Sequence, residues 1–371
     1  MQEKQLKDYK IILGDGNYSS KYPKSSEFLS EGIPFLSASD FKDKFIDYSN
    51  SKKISPELHN QLTKGHVKQG DILVVVRGNG VGKTGYINDI IDNCNINAQL
   101  AFIRSDDPNL DNEFLYYNMK YNIERLKGLA TGSAQPQLVI SNLIKYSFLA
   151  PNIKEQIKIR KILSSIDKKI EINERINNIL YQLGDSIYDS EINKNDIERV
   201  KLENIYNFQY GKGNSNPSNG GSFPVYGSNG VIGGYTEYNS DEAPVIGHIG
   251  ANCGSLVFAY GKHYVTYNGI ICNIKDENMR YLGYQVLRKL NFRNEIRGSS
   301  QPFISYDLLN NMEIPLISEN DRIKYEKIYS SIFKTIGSNI IENENLEELK
   351  NFLMSKLMNG ELNLDNIYVW Y

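Results

Sequence analysis

Apolar positions along this chain follow two regimes: short β-branched runs punctuated by glycine and asparagine, and long stretches in which they recur every three or four residues. In the second regime, Asn152 to about Ser190 carries Ile159, Leu163, Ile166, Ile170, Ile176, Leu180, Leu183 and Ile187, with Lys, Glu and Arg between them. That spacing predicts one long helix with a single apolar stripe. A second stretch, about Asn320 to Asn359, repeats it through Ile328, Ile332, Ile336, Ile340, Leu346, Leu349, Leu353 and Leu357, and meets Gly360 as a stop. Neither holds an internal proline. Helices of roughly 38 residues are about 57 Å long, too long for one domain to cover, so they must pack on each other.

The first regime fills residues 1 to 150 and 199 to 315, where runs such as GIPFLSASDF, GDILVVV and FPVYGSNGVIGGY predict short strands and turns. Each segment adds a helical candidate, near Asn112 to Leu126 and Met279 to Ile296. The fold class is α+β.

The two regimes alternate twice because the chain is an internal repeat. TGSAQPQLVISNLIKYSFLAPNIKEQIKIRKIL (Thr131 to Leu163) parallels RGSSQPFISYDLLNNMEIPLISENDRIKYEKI (Arg297 to Ile328), each with a Gln-Pro loop, an apolar strand ending in proline and the start of a charged helix. Upstream, DILVVVRGNGVG parallels APVIGHIGANCG, with G-x-x-x-G at Gly78/Gly82 and Gly250/Gly254. The offset stays at roughly 164 to 172 residues, the signature of duplication. The chain thus divides into a domain at 1–150, a helical region at 151–190, a linker at 191–198, a second domain at 199–315, a second helical region at 316–360 and a tail at 361–371.

Composition narrows the function. With 40% hydrophobic and 23% charged residues the chain is a folded protein, and a formal net charge of -2 excludes a polycation that binds nucleic acid by charge alone. Three cysteines without C-x-x-C spacing and four scattered histidines give no zinc pattern. No apolar run reaches membrane-spanning length, so a soluble cytoplasmic protein is expected. Methyltransferase, metalloprotease and hydrolase signatures are missing, which argues against an enzyme. Gly78 to Thr84, GNGVGKT, imitates a phosphate-binding loop, but Arg77 stands where that loop needs glycine and the second copy has no lysine, so Lys83 is expected on a tight turn.

Candidate nucleic-acid contacts gather around the repeated loops. In the first copy they are Arg77, Asn79, Lys83, Ser133, Gln135 and Gln137; in the second, Tyr226, Asn229, His248, Asn252, Arg297, Ser299 and Gln301, with Arg288 and Arg293 from a basic stretch, Arg280 to Gln301. Cations suit phosphates, and Asn and Gln amides suit base edges. A solvated helix face and ordinary turn chemistry are the alternative readings.

Together these residues resemble the specificity (S) subunits of type I restriction-modification systems. The resemblance is carried by GDGNYSSKYP with GIPFLSASDF, by VKLENIYNFQYGKG with FPVYGSNGVIGGY, by both Gln-Pro loops and by the helix opening PNIKEQIKIRKIL; the second opening, PLISENDRIKYEKI, lacks the Glu-Gln pair. It covers nearly the whole chain. It implies two similar target recognition domains separated by two long helices in an antiparallel coiled coil, related by a pseudo-two-fold. It also implies a non-catalytic subunit that reads a bipartite, asymmetric DNA site, one half per domain. The implied partners are double-stranded DNA, two methyltransferase (M) subunits docked on the helices at Gln156, Ile159, Leu163, Ile332 and Leu353, and restriction (R) subunits in the full complex. No cofactor is expected in this chain; S-adenosylmethionine, ATP and Mg2+ belong to the partners. Helices acting as a ruler cap the spacing of the half-sites at about 16 base pairs. A recognition subunit for a fused methyltransferase-nuclease and a protein-interaction scaffold are the alternatives.

Overall fold

The computed structural model describes residues 2–18, 22–42, 44–78, 80–88, 93–132, 136–193, 197–213, 218–292, 296–298 and 302–362. They form two compact units that cut across the linear division expected from the sequence: residues 1–171 with 344–371, and residues 172–343. Each unit therefore takes one of the two strand-rich segments and a part of both long helices.

In the first unit an antiparallel sheet runs in the order Ile11–Asp15, Leu100–Ser105, Ile72–Val75, Thr84–Tyr86. The run Ile72–Val75 is buried on both faces, which explains why it reads as continuously apolar rather than alternating. Ile72 and Val74 pack with Phe114 and Leu115 of the helix Asn112–Tyr121, while Leu73 and Val75 meet Leu36, Ile96 and Phe102. A second sheet, ordered Lys52–Ile54, Ile33–Leu36, Cys94–Ile96, His66–Val67, covers that other face and includes one parallel pair. Asp111 caps the helix by accepting from the Phe114 amide at 2.9 Å.

The second unit is built on a six-stranded sheet: Tyr206–Tyr210, Gly269–Ile274, Ser240–Gly247, Leu256–Val265, Phe223–Gly227, Gly230–Tyr235. The helix Arg280–Arg288 packs Tyr284 and Leu287 into the core beneath it. Both units tie the strand that opens the domain to the one that precedes the long helix. Gln2–Gln5 pairs with Ser147–Ala150, and Glu198–Lys201 pairs with Glu313–Leu316.

The long helices, Ile153–Ile192 and Glu319–Met358, are each 40 residues. Asn152 caps the first by accepting from the Glu155 amide at 3.0 Å, and Gly360, with φ of 72°, ends the second. The helices run antiparallel. In the first unit Ile159 and Leu163 share a core with Met354, Leu357 and Met358. In the second, Asn173 bonds Glu342 and Asn343 at 2.8 Å each, Asn339 donates to Asn177 at 2.7 Å, and the Tyr329 hydroxyl donates to the Gly184 carbonyl at 3.2 Å. Among the described residues no helix is long and apolar enough to cross a membrane.

Candidate nucleic-acid interface

The duplication is legible atom by atom in one hairpin turn. In the first unit the turn between Ile72–Val75 and Thr84–Tyr86 is held by Val75 N to Lys83 O (2.8 Å), Gly82 N to Val75 O (2.9 Å), Val81 N to Gly78 O (3.2 Å) and Lys83 N to Gly80 O (2.9 Å). In the second, Gly247 N to Ser255 O (2.8 Å), Gly254 N to Gly247 O (2.9 Å), Cys253 N to Gly250 O (2.9 Å) and Ser255 N to Asn252 O (3.1 Å) reproduce the set. Gly78, Gly82, Gly250 and Gly254 hold φ of 88°, 89°, 92° and 79°, a region that side chains disfavour, which is why G-x-x-x-G recurs. Thr84 continues into a strand, so no helix N-terminus stands behind Lys83 to hold a phosphate; Lys83 lies exposed on the turn.

The described bases of the Gln-Pro loops lie against these hairpins. Thr131 and Gln137 exchange two backbone bonds, of 2.9 and 2.8 Å, as Arg297 and Phe303 do at 3.0 and 2.9 Å. Leu138 N then bonds Val76 O (2.9 Å), and Ile304 N bonds His248 O (3.1 Å), so each loop is closed at its base and pinned to a hairpin. The same backbone platform is made twice. Asn79, Ser133, Gln135, Arg293, Ser299 and Gln301, all expected as contacts, lie outside the described residues.

Side chains on the platform differ between the units. In the first, the Gln137 amide oxygen, oriented by its hydrogen bonds, accepts from Arg77 Nε at 2.9 Å and Nη2 at 2.7 Å. The guanidinium lies over the Tyr18 ring, 4.4 Å from its centroid, and the Tyr18 hydroxyl donates to Asp15 at 2.7 Å. Burial and that bond push the Tyr18 phenol up to about 12, so it remains a donor at neutral pH. Lys64 approaches Asp15 at 3.3 Å. Tyr18 lies in the GDGNYSSKYP motif but was not expected as a functional residue; a tyrosine just after a strand and a Gly-Asn pair is the signal that could have found it.

In the second unit the bridge positions of Arg77 and Gln137 are held by Ile249 and Phe303. Around them Tyr210 stacks on Tyr306 at 3.9 Å and lies 4.4 Å from His248, with Tyr267 at 6.1 Å. His248 was expected to contact DNA, but its Nδ1 donates to the Ile304 carbonyl at 2.7 Å and burial lowers its pKa, which makes it a neutral framework group. Tyr226 is likewise 8% exposed, edge-on to the His263 ring inside the strand Phe223–Gly227, and is no surface contact. Asn229 and Asn252 are exposed on turns, and Arg297 is exposed beside its loop.

The basic stretch is mostly committed elsewhere. Arg288 Nη1 donates to Asp185 of the long helix at 3.1 Å, and its guanidinium covers the Tyr181 ring at 4.3 Å. Lys289 pairs with Asp189 at 2.7 Å, and Arg280 is held by Glu277 and the Glu242 carbonyl. Arg288 therefore seats the helix Arg280–Arg288 on the long helix within the second unit and leaves the candidate surface.

The helix residues expected to dock partners are also internal. Gln156, 1% exposed, donates to the Asn109 and Pro151 carbonyls (3.0 and 2.9 Å) and accepts from the Asp111 amide (3.0 Å). Ile159 and Leu163 are fully buried, Ile332 is 5% exposed, and Leu353 is half-buried against its own core. The stripe is consumed by the chain itself. On the first long helix Ile172, Ile176, Ile179 and Leu183, spaced four, three and four apart, stay open at 53, 39, 55 and 47% exposure, and on the second Ile323, Ile340, Ile341, Leu349 and Phe352 are exposed. Among the described residues no cluster of His, Cys, Asp and Glu could hold a metal ion, and the three cysteines are buried and form no disulfide.

Residues 3–182 and 194–351 match the family model described as the type I restriction modification DNA specificity domain. A chain named as the specificity subunit of type I restriction enzyme MjaX, from Methanocaldococcus jannaschii, is 31% identical over 170 residues, 46% of this chain and 36% of its own length. The type I restriction enzyme HindI specificity subunit of Haemophilus influenzae is 27% identical over 178 residues, 46% of this chain and 38% of its own. This chain thus spans little more than a third of the length of those relatives. The crystal structure of a type I restriction-modification S subunit from M. genitalium shares the fold, with a TM-score of 0.63 at 19% identity over 96% of both chains.

Proposed function

Because this chain belongs to the type I restriction modification DNA specificity family, we propose that it reads DNA for a restriction-modification complex, each unit recognising one half of a bipartite, asymmetric site. The observation that carries this reading is the twice-built platform of hairpin and loop base, with a constant backbone and different side chains. Two related but unequal readers meet DNA as a dimer meets a palindrome, with the halves made distinct. Arg77, Gln137 and Lys83 serve the first half-site; Asn252, Arg297 and the aromatic patch around Tyr210 serve the second.

The chain carries no chemistry in this reading. Methyltransferase subunits dock on the exposed stripe Ile172, Ile176, Ile179 and Leu183, and restriction subunits join the full complex. S-adenosylmethionine, ATP and Mg2+ are used by those partners. The two 40-residue helices set the spacer between the half-sites. The test is methylome sequencing of cells expressing this chain with its cognate methyltransferase, repeated after residues 199–315 are replaced by those of a relative. A bipartite site of which one half changes is expected. A site that is not bipartite, or a swap that leaves both halves unchanged, overturns the reading.

A further inference from the structure

The Arg77 guanidinium is already held at one edge and on one face. One edge of its guanidinium, Nε and Nη2, is taken by the Gln137 oxygen, and one face lies on the Tyr18 ring, itself anchored to Asp15. The terminal edge, formed by Nη1 and the second hydrogen of Nη2, has no partner among the described residues. Two parallel N–H donors held in a plane match the two acceptors that guanine alone presents in the major groove, N7 and O6.

A phosphate oxygen would accept from the same edge, but the second unit speaks against it. A phosphate contact positions a domain whatever the sequence, so it would serve both half-sites equally. At the equivalent bridge positions the second unit has Ile249 and Phe303. Phe303 is 38% exposed beside an otherwise unchanged backbone, an apolar surface suited to a thymine methyl. The copies keep the hydrogen bonds of the turn and change the side chains on it, as expected of positions that read bases.

We propose that Arg77 reads a guanine in the half-site contacted by the first unit through its Nη1/Nη2 edge, with Gln137 and Tyr18 as positioning residues. The proposal rests on the function inferred above. A good bidentate contact is worth roughly 5- to 150-fold in discrimination against the wrong base.

The test is methylome sequencing with the cognate methyltransferase for wild type, Arg77→Ala, Arg77→Lys, Gln137→Leu, Tyr18→Phe and Tyr18→Leu. In Arg77→Ala one guanine position should relax by a factor of that order while the other half-site stays as strict as in wild type, which doubles as the folding control. Arg77→Lys should relax the same position, because a single ammonium cannot span both acceptors. Gln137→Leu and Tyr18→Leu should relax it partly, and Tyr18→Phe, which keeps the ring, should not. Arg77→Lys that retains full specificity, or Arg77 variants that lower methylation evenly at all sites with every base still specified, overturn the proposal and mark a phosphate contact. A bipartite wild-type site unchanged in Arg77→Ala overturns it while leaving the functional reading intact. A wild-type protein without a bipartite site overturns both.

Discussion

Asp167 and Lys350, 3% and 1% exposed, form an ion pair of 2.9 Å inside the first unit, joining its portions of the two long helices. Asp167 also accepts from the Tyr117 hydroxyl and lies 3.6 Å from buried Lys44, which bonds Tyr117 at 2.8 Å and pairs with Glu113. Glu347 also pairs with Lys350 at 2.7 Å and Arg160 with Glu113 at 3.5 Å, so the buried charges are offset within one network. Removing one partner of a buried pair leaves an uncompensated charge and typically costs about 3–5 kcal/mol. Asp167→Ala should lower stability by that amount in a denaturant titration, and combining it with Lys350→Met should recover part of the loss. A single-variant change within ~0.5 kcal/mol, the range of ordinary surface substitutions, would show the network to be incidental.

Gln156 makes a different prediction, because it was expected on a partner surface and lies inside. Gln156→Ala strips the Asn109 and Pro151 carbonyls and the Asp111 amide of their partner at once. A buried group left unsatisfied costs about 1–3 kcal/mol, so the melting temperature should fall while binding of methyltransferase by the folded fraction is unchanged. Lost binding at unchanged melting temperature would return Gln156 to the partner surface.

Two buried histidines make the second unit sensitive to mild acid. Burial lowers the pKa of His248 and of His263, the latter fully buried with Nδ1 donating to the Gly261 carbonyl at 2.7 Å and only partly offset by Asp241. Above the unfolded value of about 6.5 both are neutral in either state, and their contribution is fully present. As pH falls through 6.5 towards the folded values the unfolded chain gains protons first, so stability declines. The midpoint of denaturation should drop between pH 7.5 and 5.5, and His263→Gln with His248→Asn should flatten that slope. A slope unchanged in the double variant would assign it to carboxylates.

The open stripe on the first long helix separates docking from folding. Ile176→Glu and Ile179→Glu alter residues 39% and 55% exposed, so thermal melting should shift little while co-purification of the methyltransferase is lost. Intact co-purification would place the partner elsewhere.

The ends of both long helices were legible to within two residues, because a period near 3.6 over ten turns has no competing explanation. The hairpin turn was legible because its second copy lacks the lysine. What the stripe does not disclose is the identity of whatever covers it: Ile159, Leu163 and Ile332 read the same against a partner as against the chain's own core. The commitment of Arg288 was hidden for a related reason, since the acid that neutralises it stands 103 residues earlier. Tyr226 was misplaced because the asparagines and glycines after it signal a loop, whereas the strand runs on through Gly227.

The first unit is closed by residues 344–358, which a ribosome delivers only after the whole of the second unit. At about 5–20 residues per second, the interval between Glu171 and Glu344 lasts on the order of 10–35 seconds. During that time Asp167 waits without Lys350, and the apolar surface that Met354 and Leu357 will cover faces solvent. The second unit is nested within the first, so the unit whose encoding begins earlier is the one completed last.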